Sequence, residues 1–143
     1  MRVEERFLKY VSYWTTSDDE NEQIPSSERQ FDLGKVLEKE LKELGLEKVI
    51  LTDHCYVYGL LPATAGYENV KALGLIAHMD TAPDFSGKDV KPQVIENYDG
   101  SDVLLKGTGA YLKASDFPEL KTKLATIMFY VSMPLFYKIS QKS

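Results

Sequence analysis

The sequence predicts an α/β layer fold. Two amphipathic helical patterns come first, short β-rich runs follow them, and one run near the middle is apolar on both faces. Residues 3–14 place Val3, Phe7, Leu8, Val11 and Trp14 at helical spacing, with Glu4, Glu5 and Lys9 on the other faces. The stretch "TTSDDENEQIPSS" is polar and turn-rich, which predicts a surface loop. Its acidic run lacks the ligand spacing and glycine of a calcium loop. Ser27 and Gln30 stand at capping-box spacing, where hydroxyl and amide would each satisfy an orphan backbone N–H. Phe31, Val36, Leu37, Leu41 and Leu44 then mark one face of a second helix, and Gly45 supplies a stop in the left-handed conformation.

"KVILT" and "CYVYGLL" follow, rich in β-branched and aromatic residues and joined by a short polar link, "DH". In "ENVKALGLIAH", Leu73, Leu75, Ile76 and Ala77 predict a central strand covered on both faces. A mixed or parallel sheet core would accommodate it. Residues 84–120 hold Gly87, Gly100, Gly107 and Gly109 among short β-like pieces such as "PQVIENY" and "DVLLK", the pattern of loops or an excursion.

At 143 residues the chain has the size of one domain, long enough to bury a core. Apolar residues make up 43% and charged residues 27%, ordinary for a globular protein. The net charge of −5 argues against a nucleic-acid partner or an anionic membrane surface. Cys55 stands alone, so no internal disulfide forms, and a reducing compartment suits it. "MRVEERFLKY" is too charged to be a secretion signal, and the cytoplasm is the expected location.

The charge is uneven. Residues 121–143 carry four lysines and no acid, which leaves 13 basic residues against 22 acids, a net −9, in residues 1–120. The chain therefore divides into a body, residues 1–121, and an apolar, basic tail, residues 122–143. The tail's "LATIMFYVSMPLFY" spans 14 residues and is broken by Pro134, short of the roughly 20 needed to cross a bilayer.

Chemistry centres on "LGLIAHMDTAPD". Side chains two apart in an extended chain point the same way, so His78 and Asp80 would share one side of a strand end. A ligating histidine normally gives its other N–H to a carboxylate or carbonyl, and His-x-Asp supplies both parts. The motif is short, and it equally fits a half-buried strand-end histidine followed by a turn before Pro83. The pair His54–Cys55 reads as a satisfied histidine beside a buried cysteine. "GKDVK" and "GTGAYLK" lack the ending of a phosphate loop, and no G-x-S-x-G nucleophile signature occurs.

Longer stretches carry a resemblance. "ERFLKYVSY", "TTSDDENEQIPSSERQFDLGKVLEKELKELGL", "YVYGLLPAT", "LGLIAHMDTAPDFSGKDVKPQVIENYDGSDVLL" and "DFPELK" resemble the N-terminal part of the peptidase T family, tripeptide aminopeptidases among the dizinc M20 metallopeptidases. The resemblance implies a partial zinc-peptidase-like catalytic domain over residues 1–121, two zinc ions as cofactors and small peptides as substrates. It implies His78 as a metal ligand and Asp80 as the catalytic-site carboxylate that orients it. In such a site the metals lower the pKa of bound water to roughly 7, and a glutamate acts as general base.

The resemblance stops after "DFPELK". The family continues there with a segment carrying the aspartate that bridges both metals, whereas this chain reads "TKLATIMFYVSMPLFYKISQKS". A truncated or frameshifted reading frame is the expectation, and with it a chain holding one corner of the site and inactive by itself. The alternatives are a non-catalytic remnant and a small interaction module that docks through its apolar tail. Nucleotide sequence just past the codon for Lys121 tests the frameshift: a single-base shift should restore the family pattern, and its failure to do so would discard the idea.

Overall fold

The structure is a computed structural model that describes residues 1–122 and the backbone of residues 128–132. Its elements run α1 (Val3–Tyr10), α2 (Gln30–Glu43), β1 (Glu47–Leu51), β2 (Val57–Leu60), β3 (Lys91–Ile95), β4 (Val103–Leu105), β5 (Ala110–Leu112), a 3-10 turn (Pro118–Thr122) and β6 (Met128–Ser132). The chain forms two compact units, Thr15–Pro83 and Met1–Trp14 with Asp84–Ser143.

The first unit is a helix packed on a hairpin. α2 ends in a Schellman arrangement: Gly45 N–H donates to the Lys42 carbonyl at 3.0 Å, and Leu46 N–H to the Leu41 carbonyl at 3.1 Å. Gly45 sits at φ +83°, where a side chain would be strained. The reversal sends the chain straight into β1, which pairs antiparallel with β2 from Glu47↔Leu60 to Leu51↔Val57, with a bulge between Glu47 and Ile50. The tip is closed by Thr52 N–H on the Tyr56 carbonyl at 2.9 Å and Cys55 N–H on the Thr52 carbonyl at 3.1 Å. Cys55 turns inward and is buried with Leu33, and burial pushes its thiol pKa up. α2 comes close to the hairpin because residue 34 has no side chain. A Cβ there would lie 3.1 Å from Leu51 Cδ1 and 3.3 Å from Cys55 Sγ. On the exposed side of α2, Glu38–Lys42 at 2.8 Å and Lys39–Glu43 at 3.7 Å form i,i+4 pairs, each worth about 0.2–0.5 kcal/mol.

In the second unit, the Glu5 carboxylate accepts the Arg2 backbone N–H at 2.8 Å and so caps α1. β3 pairs antiparallel with β6 from Lys91↔Ser132 to Ile95↔Met128, and β4 pairs with β5 from Val103↔Leu112 to Leu105↔Ala110. Tyr98, Val103 and Leu120 form the buried cluster, with Ile95 and Leu112 packed against it. Burying a phenol requires a partner for its hydroxyl, and Tyr98 Oη donates to the Ser101 carbonyl at 2.6 Å.

The mixture of helix and strand agrees with the α/β expectation. The sheet itself differs. In place of a mixed or parallel core, the described residues form three two-stranded antiparallel sheets and one isolated parallel bridge, Thr16↔Thr81. The expected central strand over residues 73–77 does not form: residues 71–80 carry no helix, strand, turn or bend, and Leu75 and Ile76 are 89% and 100% exposed. A strand buried on both faces needs neighbours that take its backbone hydrogen bonds and cover its side chains. No described strand pairs with this one.

Smaller differences have local causes. α1 ends at Tyr10, and Val11 N–H closes its last turn on the Phe7 carbonyl at 3.0 Å, so Trp14 falls beyond the helix. The Ser27–Gln30 capping box is replaced by a backbone bond, Gln30 N–H to the Ser27 carbonyl at 3.1 Å. Arg29 is already helical there (φ −58°, ψ −23°), so the turn is wound before the hydroxyl can cap it. Within residues 84–120, β3 and β4 fall on the β-like pieces "PQVIENY" and "DVLLK", and β5 is an addition to them. Of the expected tail, residues 123–127 and 133–143 lie outside the described residues. Among the described residues no helix is long and apolar enough to cross a membrane.

Replacing Gly45 by alanine meets no neighbour within 4 Å, so its effect isolates backbone strain. The substitution should lower stability by about 1–2 kcal/mol, with Gly45→Asn losing less, as read from urea-denaturation midpoints.

Candidate functional site

The site begins with two backbone segments held side by side. Thr81 N–H donates to the Thr15 carbonyl at 3.3 Å, and Ser17 N–H donates to the Thr81 carbonyl at 3.0 Å. The Thr81 hydroxyl adds a bond to Thr16 Oγ1 at 3.2 Å, and Thr15 and Thr16 are both buried. The acidic loop that follows is folded on itself rather than free. Asp18 N–H donates to Ser26 Oγ at 3.1 Å, Asn21 Nδ2 to the Ser26 carbonyl at 2.9 Å, and Glu20 N–H to Asp18 Oδ1 at 3.2 Å.

This bridge places Ser17 beside Asp80 and Asp80 beside His78. His78 Nδ1 lies 2.9 Å from the Asp80 carbonyl and 3.1 Å from Asp80 Oδ1. Both neighbours are acceptors, so Nδ1 carries the proton of a neutral ring and Nε2 keeps its lone pair. Ser17 Oγ donates to the other carboxylate oxygen, Oδ2. The Ser17 hydroxyl is the largest influence holding the Asp80 carboxyl below the usual carboxylate range; partial burial opposes it, and the His78 imidazole assists. The His78 side chain is 84% exposed and that of Asp80 43%.

The structure thus brings together the two site residues that the sequence singles out. It adds Ser17, 63 positions away in sequence, which carried no motif of its own. The strand expected to lead into His78 is the unpaired stretch described above, so position is set at the Asp80–Thr81 end. The other histidine does not join a donor set. His54 Nδ1 lies 2.8 Å from Asp53 Oδ1 and its ring stacks against Tyr56, while Cys55 points into the core. Among the described residues no three His, Cys, Asp or Glu side chains converge as a metal cluster.

An open cleft of about 530 Å³ in the second unit is lined in part by Glu96, Asp99, Asp102 and Lys106. Two of its carboxylates serve local backbone: Asp99 accepts the Ser101 N–H at 3.0 Å and Asp102 the Ala114 N–H at 2.8 Å.

A carboxyl whose pKa is lowered by folding stabilises the fold above its unfolded value, about 3.9, and loses that contribution as pH falls through the folded value. Asp80→Asn removes this dependence. The stability difference between wild type and Asp80→Asn should therefore stay level down to about pH 5 and shrink as pH falls below it through the lowered folded value, measured by urea midpoints at each pH. A constant difference would show that Asp80 gains nothing from its partners.

No family model matches the chain. Among curated proteins it is 51% identical over 119 residues to "Peptidase T" of Alkaliphilus oremlandii, which covers 82% of this chain and 29% of that protein. It is 54% identical over 121 residues to "Peptidase T" of Caldanaerobacter subterraneus subsp. tengcongensis, with 84% and 29% covered. The match to "Peptidase T" of Clostridium acetobutylicum is 50% over 128 residues, with 88% and 31% covered. The chain spans about three-tenths of the length of the curated relatives it matches. It is a relative of peptidase T that corresponds to the N-terminal part of those proteins.

Proposed function

We propose that the chain carries the imidazole corner of a zinc-dependent, M20-type tripeptide aminopeptidase that works on small peptides in the cytoplasm. His78 supplies one metal-ligand nitrogen and Asp80 is the carboxylate that orients it. The observation that carries this reading is the pairing itself, with Asp80 on Nδ1 and the exposed ring leaving Nε2 as a donor. The half-identical relatives named peptidase T support the peptidase assignment.

The donor set fits one ligand position and its support, and it falls short of a complete zinc site. A catalytic zinc takes about three protein ligands, and the described residues bring no such group together. No hydrolytic step is therefore assigned to them. The same shortfall favours a second reading, a non-catalytic remnant. An interaction module built on the apolar tail rests largely on residues 123–127 and 133–143, outside the described residues.

Zinc titration by calorimetry, with a tripeptide hydrolysis assay, separates these readings. The chain should bind zinc weakly and show no turnover. His78→Ala should abolish the binding, and Asp80→Asn should weaken it about 10–100-fold. Zinc affinity that survives His78→Ala would remove the ligand role. Stoichiometric zinc with turnover would overturn the view that this chain is inactive by itself.

A further inference from the structure

We propose that Ser17 is a positioning residue for His78: by holding one oxygen of Asp80, it fixes the other against Nδ1 and so sets the tautomer and direction of the imidazole. A carboxylate can rotate about its last side-chain bond and present either oxygen to a neighbour. In this chain the rotation is stopped from the far side. Ser17 Oγ donates to Oδ2, which leaves Oδ1 for the ring at 3.1 Å. A serine hydroxyl is a suitable stop because it donates a single hydrogen bond and brings no charge to compete with the imidazole.

Ser17 itself is not free to drift. Its own N–H is held on the Thr81 carbonyl at 3.0 Å, one residue past Asp80. The next residue, Asp18, is tied to Ser26 Oγ at 3.1 Å. The hydroxyl and the carboxylate are thus presented by two segments locked in register, and Ser17 and His78 both donate to the Asp80 carboxylate, one to each oxygen. The Asp80 carbonyl, at 2.9 Å from Nδ1, reinforces the same protonation of the ring. The inference deepens the ligand reading of His78 and rests on it for functional weight, because a fixed Nε2 lone pair matters most to a ligand.

The test reads the ring rather than an activity. Histidine-ring 15N and 13C shifts of the full chain at about pH 8 report the tautomer of the neutral imidazole, above the ordinary histidine pKa of about 6.5. His54→Gln identifies the signals of His78. Wild type should show the Nδ1–H form, Ser17→Ala should weaken that preference to what the Asp80 carbonyl alone supports, and Ser17→Thr, which keeps a hydroxyl, should restore it. Zinc affinity should fall in Ser17→Ala, by less than in Asp80→Asn. If Ser17→Ala does not fold, Ser17→Cys carries the comparison, its weaker donor giving an intermediate ring signature. Wild-type ring shifts in Ser17→Ala, or in Ser17→Cys where that stands in, would overturn the positioning role whatever zinc does. Zinc affinity unchanged by His78→Ala would remove the ligand reading while leaving the tautomer result standing.

Discussion

The backbone bridge between residues 15–17 and Thr81 is the constraint on which the site depends. Two hydrogen bonds and one hydroxyl contact join segments more than sixty positions apart. Each such bond adds only about 0.5–1.5 kcal/mol net, but leaving a buried partner unsatisfied costs about 1–3 kcal/mol. Burial of Thr15 and Thr16 puts the bridge under that asymmetry. Breaking it would separate Ser17 from Asp80 and release the imidazole from its fixed direction.

The helix–hairpin packing supplies the ground on which the bridge stands. The loop after Ser17 leads into α2, and α2 is anchored at both its middle and its end. In the middle, the bare backbone at residue 34 lets Leu51 and Cys55 close on the helix. At the end, the left-handed Gly45 turns the chain into β1 and hands two carbonyls of the last turn to Gly45 and Leu46. Loop residues 18–26 then bond to one another, tying Asp18, the neighbour of Ser17, to Ser26 just ahead of α2.

Local order was legible in the sequence and partnership was not. Gly45 and the "KVILT"/"CYVYGLL" hairpin follow from residue chemistry over a few positions, and they and α2 are where the patterns put them. His78 and Asp80 were legible for the same reason, since their contact spans two residues. The face of α2 is not where the pattern puts it: its buried positions are Gln30, Leu33, Gly34 and Glu40, while Phe31, Val36, Leu37 and Leu41 are half-buried and Leu44 is exposed. Ser17 was invisible because a serine in a polar loop carries no signal of the carboxylate it meets 63 positions later. The run at residues 73–77 misled in the opposite sense. Its apolar side chains report what would cover a strand, and hydrophobicity alone does not supply the neighbouring strands.

The unpaired stretch between β2 and Asp80 also has an entropic side. It closes a long loop whose ends are fixed by the hairpin and by the bridge at Thr81. The entropy lost in closing a flexible loop rises only with the logarithm of its length, about 0.6 kcal/mol for each doubling. Much of this segment can therefore be lengthened, shortened or recruited into another structure with little change in the free energy of closure. The imidazole then behaves as a group mounted on a fixed post, indifferent to how the chain travels to reach it.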